Sequence, residues 1–146
     1  MKAVCFSFLA LLLLSCNRIE TGTSLSPGEL VFIRGTGLLD EGEAIHQFYS
    51  NFTLQKAGSF FTDKRMARYW LDGRDTGQHR REYALYRDIT AVDPVFTVPD
   101  FGSPNLQVRR KDQTTFRLYM DGSPAEMQLF YQEALGAWKR HRYDRR

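Results

Sequence analysis

The chain has 146 residues, of which 42% are hydrophobic, 25% charged and 14% aromatic, a balance that excludes a disordered segment and a multi-span membrane protein. Its formal charge of +3 is too small for the field of the whole molecule to steer it to nucleic acid, and two cysteines cannot build a disulfide-dense scaffold. One domain is expected, because about 131 residues behind a leader suffice to bury a core without covalent staples.

In chain order, Met1-Lys2 supplies a positive start, and residues 4–14 form an apolar run ending in Leu11-Leu12-Leu13-Leu14. Asn17-Arg18 and Glu20 stop that run far short of the roughly twenty apolar residues that a membrane-spanning helix needs, so residues 1–15 read as a signal peptide. The residues Leu13-Leu14-Ser15-Cys16 resemble the lipobox of bacterial lipoproteins. That resemblance implies cleavage after Ser15 and acylation of Cys16, including palmitate-type chains, which places the chain at a bacterial membrane facing the periplasm or the cell exterior. Each buried methylene contributes about 0.8 kcal/mol, so two or three acyl chains anchor firmly. Loss of Lys2 with the leader leaves 19 basic against 17 acidic residues. Residues 16–28 (CNRIETGTSLSPG) lack apolar periodicity and are rich in Thr, Ser, Gly and Pro, and are expected to be the lipidated cysteine and a flexible tether.

From residue 29 to 146 short apolar and aromatic runs alternate with turn signals, which predicts a mainly β domain. Strands are expected over 30–35, 48–54, 59–61, 66–71, 82–86, 89–92, 106–110 and 115–120. The run 115–120 carries the clearest signal, with Phe116, Leu118 and Met120 on one face and Thr115, Arg117 and Tyr119 on the other. Residues 41–49 fit a strand or a short helix, since Ile45, Phe48 and Tyr49 suit both periods. Ser123-Pro124-Ala125-Glu126 is a capping box with proline at the first helical position. Behind it Met127, Phe130, Tyr131, Ala134, Leu135 and Trp138 form an apolar stripe, so a C-terminal helix is expected to pack on a sheet. The last eight residues hold five Lys/Arg and read as a solvated tail.

The order of about seven strands and one C-terminal amphipathic helix resembles the pleckstrin-homology-like superfold, in particular the bacterial PH and GRAM type domains. The resemblance rests on Pro27-Gly28-Glu29, Phe61-Thr62-Asp63-Lys64-Arg65 leading to Tyr69-Trp70, Tyr86-Arg87-Asp88-Ile89-Thr90-Ala91-Val92, and Phe116-Arg117-Leu118-Tyr119. It implies a small barrel of about seven strands capped by the helix, with an edge hairpin opening at Thr62 to Arg65. The long stretch 93–104, with three prolines, and the polar stretch 72–81 depart from that pattern.

No residues nominate an enzyme. His46, His79 and His141 lie far apart without acidic or cysteine partners at ligand spacing, so neither a metal nor another cofactor is expected. Arg34-Gly35-Thr36-Gly37 lacks the lysine and hydroxyl of a phosphate loop and reads as a hairpin turn, and Asp40, Glu41 and Glu43 read as a solvated turn. Lys64, Arg65 and Arg68 flank the expected edge hairpin and are the candidate contacts for an anion or lipid headgroup, although like-signed neighbours at strand ends also keep sheet edges soluble. The reading that follows is a membrane-anchored, non-catalytic interaction or scaffold module for an envelope protein or lipid. The rival is a carrier of small apolar ligands with a lipocalin-like cavity, favoured if aromatic residues such as Phe52, Tyr69 and Trp70 line a void instead of packing against Trp138.

Overall fold

The computed structural model describes residues 19–145. The elements run β1 (Ile19–Thr21), α1 (Pro27–Gly35), β2 (Ile45–Tyr49), β3 (Ala57–Thr62), β4 (Arg65–Trp70), β5 (Arg80–Leu85), β6 (Ile89–Val95), β7 (Asn105–Arg110), β8 (Thr115–Tyr119) and α2 (Pro124–His141), with single 3₁₀ turns at Gly22–Ser24, Thr76–Gln78 and Tyr86–Asp88. All pairings are antiparallel and make two sheets, β1-β2-β3-β4-β5 and β6-β7-β8. The protein is therefore mainly β with a C-terminal helix, as expected. Two expectations are corrected: the described residues form eight strands instead of about seven, and the two sheets do not close into a barrel.

The expected flexible tether is corrected over its described part, residues 19–28, which hold a strand, a 3₁₀ turn and the start of a helix. β1 adds to the edge of the first sheet, with Ile19 opposite Tyr49, and α1 follows after one turn. The expected strand over 30–35 is helix. Ser26 Oγ accepts the Glu29 amide at 3.2 Å while Glu29 Oε2 accepts the Ser26 amide at 2.7 Å, with Pro27 at the first helical position. Those caps satisfy amides that a helix start would otherwise leave bare, and docking of Ile33, fully buried, outweighs the strand preference of Val31 and Ile33. Arg34 to Gly37, read as a hairpin turn, is the end of this helix: the Gly37 amide donates to Arg34 O at 2.9 Å, and Gly37 sits at φ +80°, where a side chain would be strained.

The first sheet buries both faces. One face, with Phe48, Phe60, Ala67 and Tyr69, packs with Leu25, Ile33, Leu38 and Leu39 from the α1 segment. The other, with Phe61, Met66 and Ala84, packs on the second sheet through Leu106, Val108 and Leu118 and on α2 through Phe130, Ala134 and Ala137. Both interiors are filled by side chains. β6 tolerates Pro94 because it is an edge strand, and proline lacks only the outward-facing donor. One acceptor on the open edge of β5 is satisfied by a side chain, since Arg110 Nε and Nη2 both donate to Tyr83 O, at 3.2 and 3.1 Å. None of the described helices is long and apolar enough to cross a membrane.

Three buried tyrosines tie elements together and set an alkaline limit. Burial pushes the Tyr49 hydroxyl up to about 12, with a smaller contribution from the Asp121 charge. Burial also raises Tyr69, whose hydroxyl donates to Leu54 O at 2.6 Å, and Tyr86, whose hydroxyl donates to Thr62 O. Above their ordinary value of 10.0 the unfolded tyrosines ionise while the native ones hold their protons, so the unfolded state binds fewer protons and stability falls with rising pH. The urea midpoint is expected to hold below about pH 10 and to drop steeply toward pH 12, a drop that Tyr49→Phe makes shallower. A midpoint that stays flat through that window contradicts the assignment.

Candidate functional site

The register of the first sheet places one end of every central strand together. Tyr49 ends β2, Ala57 starts β3, Trp70 ends β4 and Arg80 starts β5, so the connections 50–56 and 71–79 lie at this end. The 96–104 connection joins them, because Asn105 and Tyr119 are paired there and the Tyr119 amide donates to Ser59 Oγ at 3.0 Å, linking the two sheets. The β3–β4 turn, the Tyr86–Asp88 turn and His141 occupy the opposite end, where the Tyr86 ring lies 6.1 Å from that of His141.

A cleft opens at the loop end on both sides of Tyr119. One hollow of about 230 Å³ is lined by Tyr49, Asn51, Gly58, Arg68, Trp70 and Tyr119. Gly58 is required there: a Cβ at this position would fall 2.6 Å from the Tyr69 ring and 2.7 Å from that of Phe48. The neighbouring hollow, about 410 Å³, shares Asn51 and Tyr119 and adds Val98, Phe101, Asn105, Gln107 and Arg117. Arg68 forms an ion pair with Glu82, its Nε 3.0 Å from Glu82 Oε2, and its guanidinium lies 5.2 Å from the centre of the Tyr119 ring. Asn105 is only 4% exposed; its Nδ2 donates to Ser103 O at 3.0 Å, and its Oδ1 has no partner among the described residues. A buried carbonyl oxygen without a donor costs free energy that a ligand or water donor returns. Arg117 is exposed and forms no ion pair among the described residues. The rim is aromatic: Phe52 meets Trp70 edge to face at 5.0 Å, and the Lys56 ammonium lies 5.3 and 5.0 Å from those two rings.

The residues singled out in the sequence do not meet here. Cys16 lies outside the described residues. Lys64 is exposed at the opposite end, 3.7 Å from Asp40 Oδ2. Arg65 is buried, with Nη2 at 2.6 Å from Asp40 Oδ2 and Nε at 3.0 Å from Glu43 Oε1. Its charge is already taken up by the acidic turn that was read as solvated, and the Glu43 side chain is fully buried. Arg68, three residues along the same strand, points to the other face. Lys64, Arg65 and Arg68 therefore do not form one anion cradle, and Arg68 alone reaches the cleft. Trp70 and Phe52 pack on each other and not on Trp138, which joins the other core cluster from α2. The three histidines are separate, His79 Nε2 lying 2.8 Å from Asp72 O and His141 Nδ1 2.8 Å from Asp144 Oδ2, and no metal-holding group of three occurs among the described residues. The sequence reading missed Asn51, Asn105, Gln107 and Arg117, because outward polar residues on strands and loops carry no periodic signal until a second loop folds over them.

No family model matches the chain, and no curated protein does. Among solved structures, a DUF1696 family protein with a pleckstrin-homology domain from Shewanella loihica PV-4 is similar, with a TM-score of 0.50 and 16% identity over 81% of this chain and 97% of that one. At that identity the likeness carries the fold, which is PH-like, and nothing further.

Proposed function

We propose that this chain is a lipoprotein of the bacterial envelope, cut after Ser15 and anchored through acylated Cys16, whose PH-like domain is a non-catalytic interaction module. The observation that carries the interaction role is the cleft around Tyr119. There a buried acceptor, Asn105 Oδ1, and the terminal nitrogens of Arg68 offer hydrogen-bonding capacity that the described partners leave unused. The carrier reading has less support, since Phe60, Phe61, Met66, Leu106, Leu118 and Phe130 fill both interiors at 1% exposure or less, and the aromatic hollow is open to solvent.

Two experiments test the two halves. Cys16→Ser is expected to move the chain from the membrane fraction to the soluble fraction, and a membrane-bound C16S chain contradicts the anchor. A photo-crosslinking residue in place of Asn51 or Gln107, in the full chain in its native membrane, is expected to label an envelope component, while the same residue in place of exposed Arg87 at the opposite end does not. Equal labelling from all three positions, or none from the first two, sinks the cleft as the contact surface.

A further inference from the structure

We propose that the loop end of the domain lies against the bilayer that holds its own acyl chains, with Phe52 and Phe101 in the headgroup layer and the Tyr119 cleft opening onto that surface. The proposal rests on acylation of Cys16 as set out above. Only two residues, Asn17 and Arg18, lie between Cys16 and Ile19, which makes three Cα–Cα steps. An extended chain spans at most about 3.3–3.6 Å per residue, so the lipidated cysteine stays within about 10 Å of the start of β1. β1 runs antiparallel to β2 with Ile19 opposite Tyr49, so the chain enters the domain beside residues 50–52, at the loop end. A flexible tether of a dozen residues would allow any orientation, whereas this reach allows few.

The surface at that end has the chemistry of a membrane interface. Phe52 is 50% exposed and Phe101 fully exposed, and both stand on connections that line the cleft. Phe101 and its neighbour Asp100 have φ of 49° and 52°, a left-handed turn that bulky residues rarely adopt and that turns the ring away from the protein. An aromatic side chain held in a strained turn without covering atoms finds its apolar environment outside the chain. Lys56 beside Phe52 and Trp70 completes the pairing of aromatic rings with a snorkelling ammonium typical of interfacial anchors. The connections 50–56, 71–79 and 96–104 carry two basic residues, Lys56 and Arg74, against three acidic, Asp72, Asp75 and Asp100. Exposed Arg80 at the start of β5 and exposed Arg117 in the cleft add two positive charges to this end, so the rings and the covalent lipid supply the contact and anionic lipid is expected to add a salt-sensitive part.

The two tryptophans lie at opposite ends and report the orientation. The acylated full chain is reconstituted in phosphatidylcholine vesicles containing lipid brominated near the headgroup, once as Trp138→Phe, leaving Trp70, and once as Trp70→Phe, leaving Trp138. Insertion of the rim to the depth reached by interfacial segments, about 5–10 Å, is expected to quench Trp70 roughly twofold and to leave Trp138 unchanged. The double variant Phe52→Ser, Phe101→Ser is expected to abolish that quenching while the chain still floats with the vesicles. Should either tryptophan variant misfold, amide exchange of the unsubstituted acylated chain replaces it, with slowing expected over 50–56 and 96–104 relative to the C16S chain. Failure of the chain to float overturns the anchor and this proposal with it. Flotation with equal or absent quenching at both tryptophans, or with no slowing of those amides, overturns the orientation and leaves the anchor standing.

Discussion

Arg65→Ala is expected to destabilise the domain by about 3–5 kcal/mol, read as a fall in the urea midpoint, because it leaves a carboxylate buried without its counterion. The Glu43 side chain has no exposure; its Oε1 accepts the Thr62 hydroxyl at 2.6 Å and Arg65 Nε at 3.0 Å, and its Oε2 accepts the Asp40 amide at 2.9 Å. Without the guanidinium that charge keeps its polar donors and loses its opposite charge. Asp40, more than half exposed, returns to water at little cost. The two deletions are therefore unequal. Glu43→Gln leaves Arg65 paired with Asp40 and is expected to cost clearly less than Arg65→Ala, and Glu43→Gln in the Arg65→Ala background is expected to recover part of the loss. A cost below about 1 kcal/mol for Arg65→Ala, the level of an exposed pair, rejects this account.

The same residues mark where the sequence was legible. Ser123 to Glu126 announced α2 because a capping box preceded an unambiguous helical stripe. Ser26 to Glu29 makes the same box with the same geometry, but the following Leu30-Val31-Phe32-Ile33 is apolar at four consecutive positions, two of them β-branched, which hides a helix inside a strand-like run. β3 gave a weak signal for a related reason: all its residues are buried, since the sheet is covered on both faces, and alternation appears only when one face meets water. β1 could not be read at all, because three edge residues among Thr, Ser and Gly gain their structure from pairing with β2. Arg65 and Arg68 looked like neighbours in sequence, yet a separation of three in a strand puts them on opposite faces, one in a salt bridge inside and one at the cleft. Asn105 shares the outward face with Gln107 by register and is buried only because the 96–104 connection folds across it, a tertiary fact that no local pattern encodes.

Phe130→Ala is expected to cost about 3–5 kcal/mol, as large-to-small changes at sealed core positions do. Its ring is fully buried and meets Phe61 edge to face at 5.2 Å, with Ala134 and Ala137, also fully buried, on the same side of α2. Those alanines let the helix approach closely but contribute little area, so Phe130 is the large side chain of α2 that is fully buried in the contact, with half-buried Met127, Tyr131 and Trp138 packed around the cluster. The cluster it completes contains residues of both sheets, so loss of the ring loosens the joint between them. Two comparisons separate that role from general helix damage. Leu129→Ala, one residue earlier and 54% exposed, is expected to change stability by no more than about 0.5 kcal/mol. The double variant Phe61→Ala, Phe130→Ala is expected to cost less than the sum of its singles, because each ring lines the cavity that the other leaves. Strict additivity, or a Phe130→Ala cost close to that of Leu129→Ala, means that α2 is held by its ends and not by this contact.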